Sequence, residues 1–306
     1  MTNLTPGNRW KPDKPWHPLY PFDPHYLKLS AEKHISMHYL DEGPRTAGRA
    51  VVMLHGNPTW SFYYRNLILA LRGSFRCVVP DHVGCGLSDK PQTYPYTLAQ
   101  HIDNLERLLD ALKLESIDLV LHDWGGAIGM GAALRKPSRV RKIVVLNTAA
   151  FLASRVPFRI NVCKLPLFGA LAIRGLNGFA GAAIYMAVAH RERMTRPVRV
   201  GLLAPYNSWK NRVANLRFVQ DIPMKPRHPS WGTLKAIGDG IAQFRDRPML
   251  ICWGMKDWCF DESFLKMWIE RFPNAAVERY ADAGHYVLED AHERIGPRVL
   301  EFLSAT

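Results

Sequence analysis

One stretch near the middle of the chain, SIDLVLHDWGGAIGMGAALRKP at residues 116–137, restricts the fold more than any other feature of the sequence. An apolar run typical of a buried strand ends at His122, Asp123 and Trp124, and two glycines then lead into an apolar helical pattern. A strand, a sharp turn and a helix in this order form the elbow on which many enzymes present a nucleophile. Because the turn holds Asp123 where such elbows usually carry serine, the candidate nucleophile is a carboxylate.

Strand and helix patterns alternate on both sides of this elbow. The strand patterns are apolar throughout, and a helical pattern at residues 97–114 begins with Thr97 and Gln100 in capping-box spacing. This alternation predicts an α/β fold with a mostly parallel sheet and helices on both of its faces. The strand patterns lie at 34–43, 50–56, 76–81, 142–147, 247–257 and 275–285, and further helical patterns lie at 59–73, 261–272 and 291–303.

The alternation stops between residues 149 and 244. This region holds helical stretches broken by proline and glycine, without a convincing strand pattern, and the sheet patterns resume after it. The sequence therefore predicts a core in two parts, residues 1–148 and 245–306, with a helical cap formed by residues 149–244.

Three polar residues follow strand patterns and are expected at the carboxyl ends of the strands, where an open α/β sheet places its site. They are Asp123, Asp257 in CWGMKDWCF and His285 in ADAGHYVLED, and their order is nucleophile, acid and histidine. In such a triad the acid holds the histidine imidazole in the useful tautomer, and the imidazole lies within reach of the nucleophile. Two alternatives stay open, since Asp257 can instead cap the following helix and His285 can be a hydrogen-bonded loop histidine.

A carboxylate at the elbow favours displacement at saturated carbon, which gives an alkyl ester of Asp123, and it disfavours ordinary esterase chemistry. The segment LHGNPTW at residues 54–60 and Trp124 supply backbone N–H groups for an oxyanion hole, and the side chains of Asn57 and Trp124 offer N–H donors to a departing anion. The alternative is that Asn57 forms a turn and Trp124 only packs.

The segments HGNPTW, HDWGG, WGMKD and AGHY resemble the haloalkane dehalogenase group of α/β-hydrolases over nearly the whole chain. The resemblance implies an α/β-hydrolase fold with a helical cap, Asp123 as nucleophile, His285 as base, and Asn57 with Trp124 as the halide pair. Some members place the acid after the preceding strand, where this chain has Asn147 and Thr148, so the resemblance implies Asp257 as the acid.

Epoxide hydrolases share the HDWGG-type elbow, but they usually have an aromatic residue at the position of Asn57 and two tyrosines in the cap. Tyr185 and Tyr206 are available for that role, whereas Asn57 argues against it. A non-catalytic α/β-hydrolase scaffold is a further alternative. Such proteins often lose a triad member, and all members are present here.

A closer resemblance lies in PWHPLYPFDPHYL, LAPYNSW, FVQDIP and CWGMKDWCF, which are similar to the β-lactone decarboxylases of bacterial long-chain olefin biosynthesis. It implies conversion of a cis-3,4-dialkyl-2-oxetanone to a cis-olefin and CO2 without a cofactor, and a complex with the lactone-forming synthetase and an NADPH-dependent reductase. A long dialkyl substrate needs an apolar slot, and the candidate lining residues, which are equally suited to the cap core, are Phe151, Phe168, Leu171, Ile173, Phe179, Tyr185 and Met186.

The formal net charge of +13 raises the question of nucleic-acid binding. The basic residues are scattered and carry no zinc-finger or RNP-type pattern, so contact with acidic lipid or an acidic partner is favoured. Five cysteines without a CxxC motif predict neither a disulfide framework nor a zinc site. The N-terminus lacks an apolar signal region. Together these features predict a cytoplasmic protein that holds no metal and contacts the surface of a membrane.

Overall fold

The computed structural model describes residues 4–6, 14–30, 34–45, 49–153 and 157–305. The described strands form one sheet of nine in the order β1-β2-β3-β5-β4-β6-β7-β8-β9. Their bounds are β1 Leu4–Pro6, β2 His25–Ser30, β3 Ile35–Glu42, β4 Arg49–Leu54, β5 Cys77–Pro80, β6 Ser116–Asp123, β7 Val140–Thr148, β8 Met249–Gly254 and β9 Ala276–Tyr280.

The sheet is mostly parallel, as the alternating patterns predict. Strands β4 to β9 pair in parallel, and β1, β2 and β3 form an antiparallel edge that joins them at β5. Strand β4 lies directly beside β6. The loop after β4 therefore lies beside the elbow after β6, because parallel strands end at the same edge of the sheet.

Helices cover both faces of the sheet, as predicted. Along β7, Ile143 and Val145 pack into one core with residues of α2, α3, α9 and α10, whereas Val144 and Leu146 pack into the other with residues of α1 and α11. This period of two is what a strand buried on both faces requires. The helices are α1 Arg65–Leu71, α2 Leu98–Ala111, α3 Trp124–Arg135, α4 Phe158–Cys163, α5 Pro166–Gly169, α6 Gly178–Met186, α7 Arg196–Leu203, α8 Val213–Gln220, α9 Trp231–Gly240, α10 Glu262–Arg271 and α11 Val287–Ser304.

Two examples illustrate how helix starts differ in detail from the sequence patterns. Thr97 caps α2 by accepting the Gln100 backbone N–H at 3.3 Å, but the Gln100 side chain donates to Asn104 at 3.2 Å, so only half of the capping box forms. The helix predicted at residues 59–73 begins as a 3-10 turn at Ser61–Tyr64 and continues as α1, which ends at Leu71.

Helices α4 to α9 lie between β7 and β8, and the described residues of this region, 149–153 and 157–248, contain no strand. A π-helical turn at Ala170–Gly175 joins α5 to α6. No single helix in the described part of the chain is long and apolar enough to cross a membrane. Two consecutive helical segments, Leu167–Gly175 and Gly178–Met186, are together long and apolar enough, but the chain bends by 69° between them.

Candidate active site

The elbow forces Asp123 into an unusual backbone conformation. Its φ is 49° and its ψ is −125°. Asp123 is the last residue of β6 and directly precedes α3, so its carboxylate lies at the carboxyl edge of the sheet. Neighbouring glycines make room for it. A Cβ atom at Gly56 would overlap the Asp123 carboxylate, and a Cβ atom at Gly125 would overlap the Leu54 carbonyl oxygen. The glycines at the start of the loop after β4 and at the elbow therefore reflect the close approach of two backbones.

The two oxygens of the Asp123 carboxylate have different surroundings. Oδ1 accepts the Asn57 N–H at 2.7 Å, and the Trp124 N–H also donates to this carboxylate. Oδ2 lies 3.7 Å from Nε2 of His285. The two N–H groups expected to form an oxyanion hole thus meet at Asp123, and its second oxygen faces the histidine.

Asp257 lies behind His285. Its Oδ2 is 2.8 Å from His285 Nδ1, and its Oδ1 accepts the backbone N–H groups of Cys259 at 2.7 Å and Phe260 at 3.1 Å. The helix that follows is capped by Asp261, which accepts the Ser263 N–H, so Asp257 does not cap it. The structure brings Asp123, His285 and Asp257 together in the order that the triad hypothesis requires.

Asn147 is a residue whose role sequence reasoning missed. Its Nδ2 donates to Asp257 Oδ2 at 3.0 Å and to the Gly254 carbonyl at 3.0 Å, and its Oδ1 accepts the Gly254 N–H at 2.8 Å. A neutral amide at the end of β7 therefore fixes the acid at the end of β8. The signal in the sequence was a buried polar residue at the end of an apolar strand, and next to it Thr148 donates its hydroxyl to the Asp123 carbonyl.

Burial and nearby charges shift both reacting groups. Burial raises the pKa of the Asp123 carboxyl above its ordinary value, although His285 and the two N–H groups oppose the shift. Burial alone would lower the pKa of His285, but the charge and hydrogen bond of Asp257, together with Asp123, outweigh it and raise the pKa. An anion that burial destabilises, beside an imidazole that readily holds a proton, is suited to nucleophilic chemistry.

A cavity of about 420 Å³ opens above the triad, and its lining is mainly apolar. The lining includes Asp123 and His285 as well as the predicted leaving-group residues Asn57 and Trp124. Of the candidates for an apolar slot, those that line it are Phe151, Phe168, Ile173, Phe179 and Met186.

The prediction was wrong for two cap residues. Leu171 is 62% exposed and Tyr185 is 50% exposed, and neither lines the cavity. Adjacent positions of a helix face different sides, so the cavity is lined by the neighbours of these two residues, Ala172 and Met186. Tyr206 is fully buried and donates to the Thr59 carbonyl at 3.0 Å. Neither tyrosine considered for epoxide protonation lines the cavity, which counts against that reaction.

The Asn57 side chain makes a contact that the sequence did not indicate. Its Nδ2 donates at 3.1 Å to the carbonyl of Asn215 in α8, so the amide joins the core to the cap. Its Oδ1 is buried without a hydrogen-bond partner among the described residues. The amide nitrogen carries two hydrogens, so the bond to Asn215 uses one of them and leaves the other for a leaving group. The Trp124 ring packs 5.3 Å from that of Phe218 and lines the cavity.

The sequence and the fold are similar to those of known proteins. Residues 49–292 match the α/β-hydrolase fold family. Over 294 residues the chain is 46% identical to a cis-3-alkyl-4-alkyloxetan-2-one decarboxylase of Shewanella oneidensis, covering 94% of this chain and 90% of that protein. It is 32% identical over 288 residues to haloalkane dehalogenase 2 of Mycobacterium bovis, covering 92% and 96%. A solved haloalkane dehalogenase from Bradyrhizobium elkani superposes with a TM-score of 0.83 at 23% identity, over 92% of this chain and 98% of that one, a likeness of fold.

Proposed function

The chain belongs to the α/β-hydrolase family, and we propose that it is a β-lactone decarboxylase that converts long-chain cis-3,4-dialkyl-2-oxetanones to cis-olefins and CO2. The observation that carries the proposal is the Asp123 carboxylate in the lining of an apolar cavity, with Oδ1 held by the Asn57 backbone N–H and Oδ2 3.7 Å from His285 Nε2. The name of the Shewanella oneidensis relative supports this substrate class.

The reaction begins when Asp123 attacks the ring carbon that bears the lactone oxygen. The bond between that carbon and the ring oxygen breaks, the configuration inverts, and the substrate carboxylate is freed. The bond to this carboxylate then breaks with release of CO2, its electron pair forms the double bond, and the Asp123 carboxylate leaves from the opposite face. Inversion followed by anti elimination is a net syn loss, so a cis-lactone gives a cis-olefin. A competing route begins with attack on the lactone carbonyl and gives a mixed anhydride of Asp123.

The other site residues support these steps through charge. His285, held by Asp257 at 2.8 Å and with a raised pKa, can keep a proton beside Asp123 and stabilise its carboxylate as it leaves. Trp124 and Asn57 line the cavity where the freed carboxylate forms. On this route water is not consumed, and the carbonyl–oxygen bond of Asp123 is never cleaved.

Hydrolytic dehalogenation is the second candidate, since the chain is 32% identical to haloalkane dehalogenase 2 of Mycobacterium bovis. In that reaction Asp123 displaces a halide, and His285 activates water against the resulting ester. The N–H groups of Asn57 and Trp124 then stabilise the tetrahedral oxyanion. The assembled triad argues against the non-catalytic scaffold.

The biological setting is part of the proposal. A role in olefin biosynthesis, a complex with a lactone-forming synthetase and an NADPH-dependent reductase, and peripheral membrane contact agree with the proposed substrate and with the net charge of +13. A cytoplasmic location agrees with the five cysteines, all free in the structure.

The proposal is tested by assaying one preparation with a long-chain cis-dialkyl β-lactone and with 1-bromoalkanes of matched length. We expect cis-olefin formation to exceed bromide release by orders of magnitude, and the Asp123→Asn variant to lose both. Bromide release far above lactone turnover would instead make dehalogenation the function.

A further inference from the structure

The outer side of the cap carries a concentration of exposed apolar side chains. Among the described residues, nine large hydrophobic side chains are exposed, and all but Leu69 belong to the cap. Single exposed leucines are ordinary, but a group of them around one bend of the chain marks an interaction surface. We call this group the outer cap surface; it consists of Phe158, Leu165, Leu167, Phe168, Leu171 and Leu176.

Positive charge is concentrated in the same region. Residues 149–244 contain 14 lysines and arginines against three acidic residues, which gives +11 of the chain's net +13. Residues 157–186, which carry the outer cap surface, include Arg159, Lys164 and Arg174 and no Asp or Glu. Beside this surface, the Arg174 guanidinium lies 4.7 Å from the centre of the half-exposed Trp209 ring. Apolar side chains flanked by cations and an interfacial tryptophan match the polar and apolar layers of an anionic membrane surface.

The helices that carry the outer cap surface also form a wall of the cavity. Ala172 and Ile173 line the cavity, whereas the adjacent Leu171 and the nearby Leu176 are exposed by 62% and 77%. Phe168 does both, since it lines the cavity and is 53% exposed. One layer of helix therefore separates the candidate active site from the outside.

We propose that the outer cap surface docks on an anionic lipid bilayer, with its leucines and phenylalanines in the acyl boundary and its cations among the phosphate groups. The sharp bend of 69° between Leu167–Gly175 and Gly178–Met186 suits a segment that lies in the interface. Docking would place Phe168, which both lines the cavity and is half-exposed, against the lipid. Long-chain substrate and product then exchange between bilayer and cavity past Phe168, and this second part rests on the proposed function.

Vesicle flotation tests the docking itself. We expect the protein to float with phosphatidylglycerol–phosphatidylcholine vesicles at low salt, and to be released from them by high salt or by the use of phosphatidylcholine alone. The double variant Leu167→Glu with Leu176→Glu should bind about tenfold more weakly or worse. Leu69→Glu, which changes an exposed leucine of α1, is the matched control and should bind like the parent. Absence of binding by the parent, or equal binding by the double variant, overturns the proposal.

An activity assay separates the docking from the chemistry. Neither Leu167 nor Leu176 lines the cavity, so the double variant should keep the parent's kcat/KM for a short, water-soluble cis-lactone. For a long-chain lactone supplied in anionic vesicles, its turnover should fall about tenfold, in line with the loss of binding. If no lactone is turned over by either protein, the proposed function fails while the flotation result still decides the docking. If the double variant loses a protein partner but binds vesicles like the parent, the lipid assignment is overturned.

Discussion

At the scale of single residues, Asp123 must supply a nucleophile from a backbone position that few side chains tolerate. Asn has nearly the same shape and also adopts a positive φ, so Asp123→Asn removes the charge and keeps the elbow. We expect olefin formation from a cis-lactone to fall by about a thousandfold or more, measured as kcat/KM. A variant that retained most of its activity would show that another group is the nucleophile.

The stability of the same variant provides its control. Because burial raises the pKa of Asp123, the folded state binds this proton more tightly than the unfolded state. The ionised carboxylate therefore costs stability above the folded-state pKa, and this cost disappears as the pH falls through it. We expect Asp123→Asn to unfold at a temperature equal to or above that of the parent at pH 7, and its advantage to shrink at acid pH. A lower melting temperature at pH 7 would attribute the loss of activity to misfolding.

Asp257 is expected to set the protonation of His285. Its charge and hydrogen bond raise the histidine pKa against the effect of burial, so Asp257→Asn leaves burial as the main influence and should lower that pKa. An NMR titration of the His285 ring, identified by comparison with a His285→Gln variant, measures the change directly. Asp282→Asn, at an exposed ion pair with Arg294, is the control and should leave the titration unchanged. An unshifted His285 pKa in Asp257→Asn would contradict the assigned role.

At the scale of secondary-structure elements, the sequence predicted what local patterning determines. Strands that are apolar throughout, such as β7, and the strand–turn–helix around Asp123 are each encoded within a short stretch of sequence, and they appear in the structure as predicted. Contacts between residues far apart in the chain left no comparable pattern. The bond of Asn57 to Asn215 joins residues 158 positions apart, and that of Asn147 to Asp257 joins residues 110 apart. The side on which Leu171 faces was likewise unpredictable, because the cap is apolar on more than one face.

The cap provides a matched pair of neighbouring positions that face opposite sides. Ala172 lines the cavity, whereas Leu171 is exposed. Ala172→Phe should fill part of the cavity and shorten the longest alkyl chain that is turned over, with little change for short substrates. Leu171→Phe adds a ring of the same size outside and should leave the chain-length profile for detergent-dispersed lactones unchanged. Equal effects of both substitutions would mean that this wall does not bound the substrate.

Helices α1 and α11, which cover one face of the sheet, are joined by a buried ion pair. The Arg65 guanidinium donates to both oxygens of Glu289 at 2.5 and 2.7 Å, and both side chains are less than 5% exposed. Glu289→Gln leaves the guanidinium charge without its buried partner and should lower the free energy of unfolding by about 3–5 kcal/mol. Urea denaturation measures this loss, and the double change Arg65→Leu with Glu289→Leu should recover much of it. A loss below about 1 kcal/mol would show that water reaches the pair.

At the scale of the whole molecule, the same sheet edge and cap serve either elimination or hydrolysis. Both reactions use an ester of Asp123, and both benefit from the N–H groups of Asn57 and Trp124. They differ in whether water then attacks the ester. That difference depends on the course of the reaction inside the cavity. The fold alone does not set it, because a dehalogenase fold superposes on this chain with a TM-score of 0.83.

The fate of the Asp123 oxygens decides between the two reactions. Hydrolysis of the ester carbonyl places a solvent oxygen in the carboxylate, whereas elimination breaks the bond between the substrate carbon and the Asp123 oxygen and leaves both original oxygens in place. After many turnovers of a cis-lactone in oxygen-18 water, peptide mass analysis should therefore find Asp123 unlabelled. Turnover of a 1-bromoalkane, wherever it is detectable, is the positive control and should introduce label at the same peptide. Label in Asp123 that accumulates in step with olefin formation would reject the elimination route.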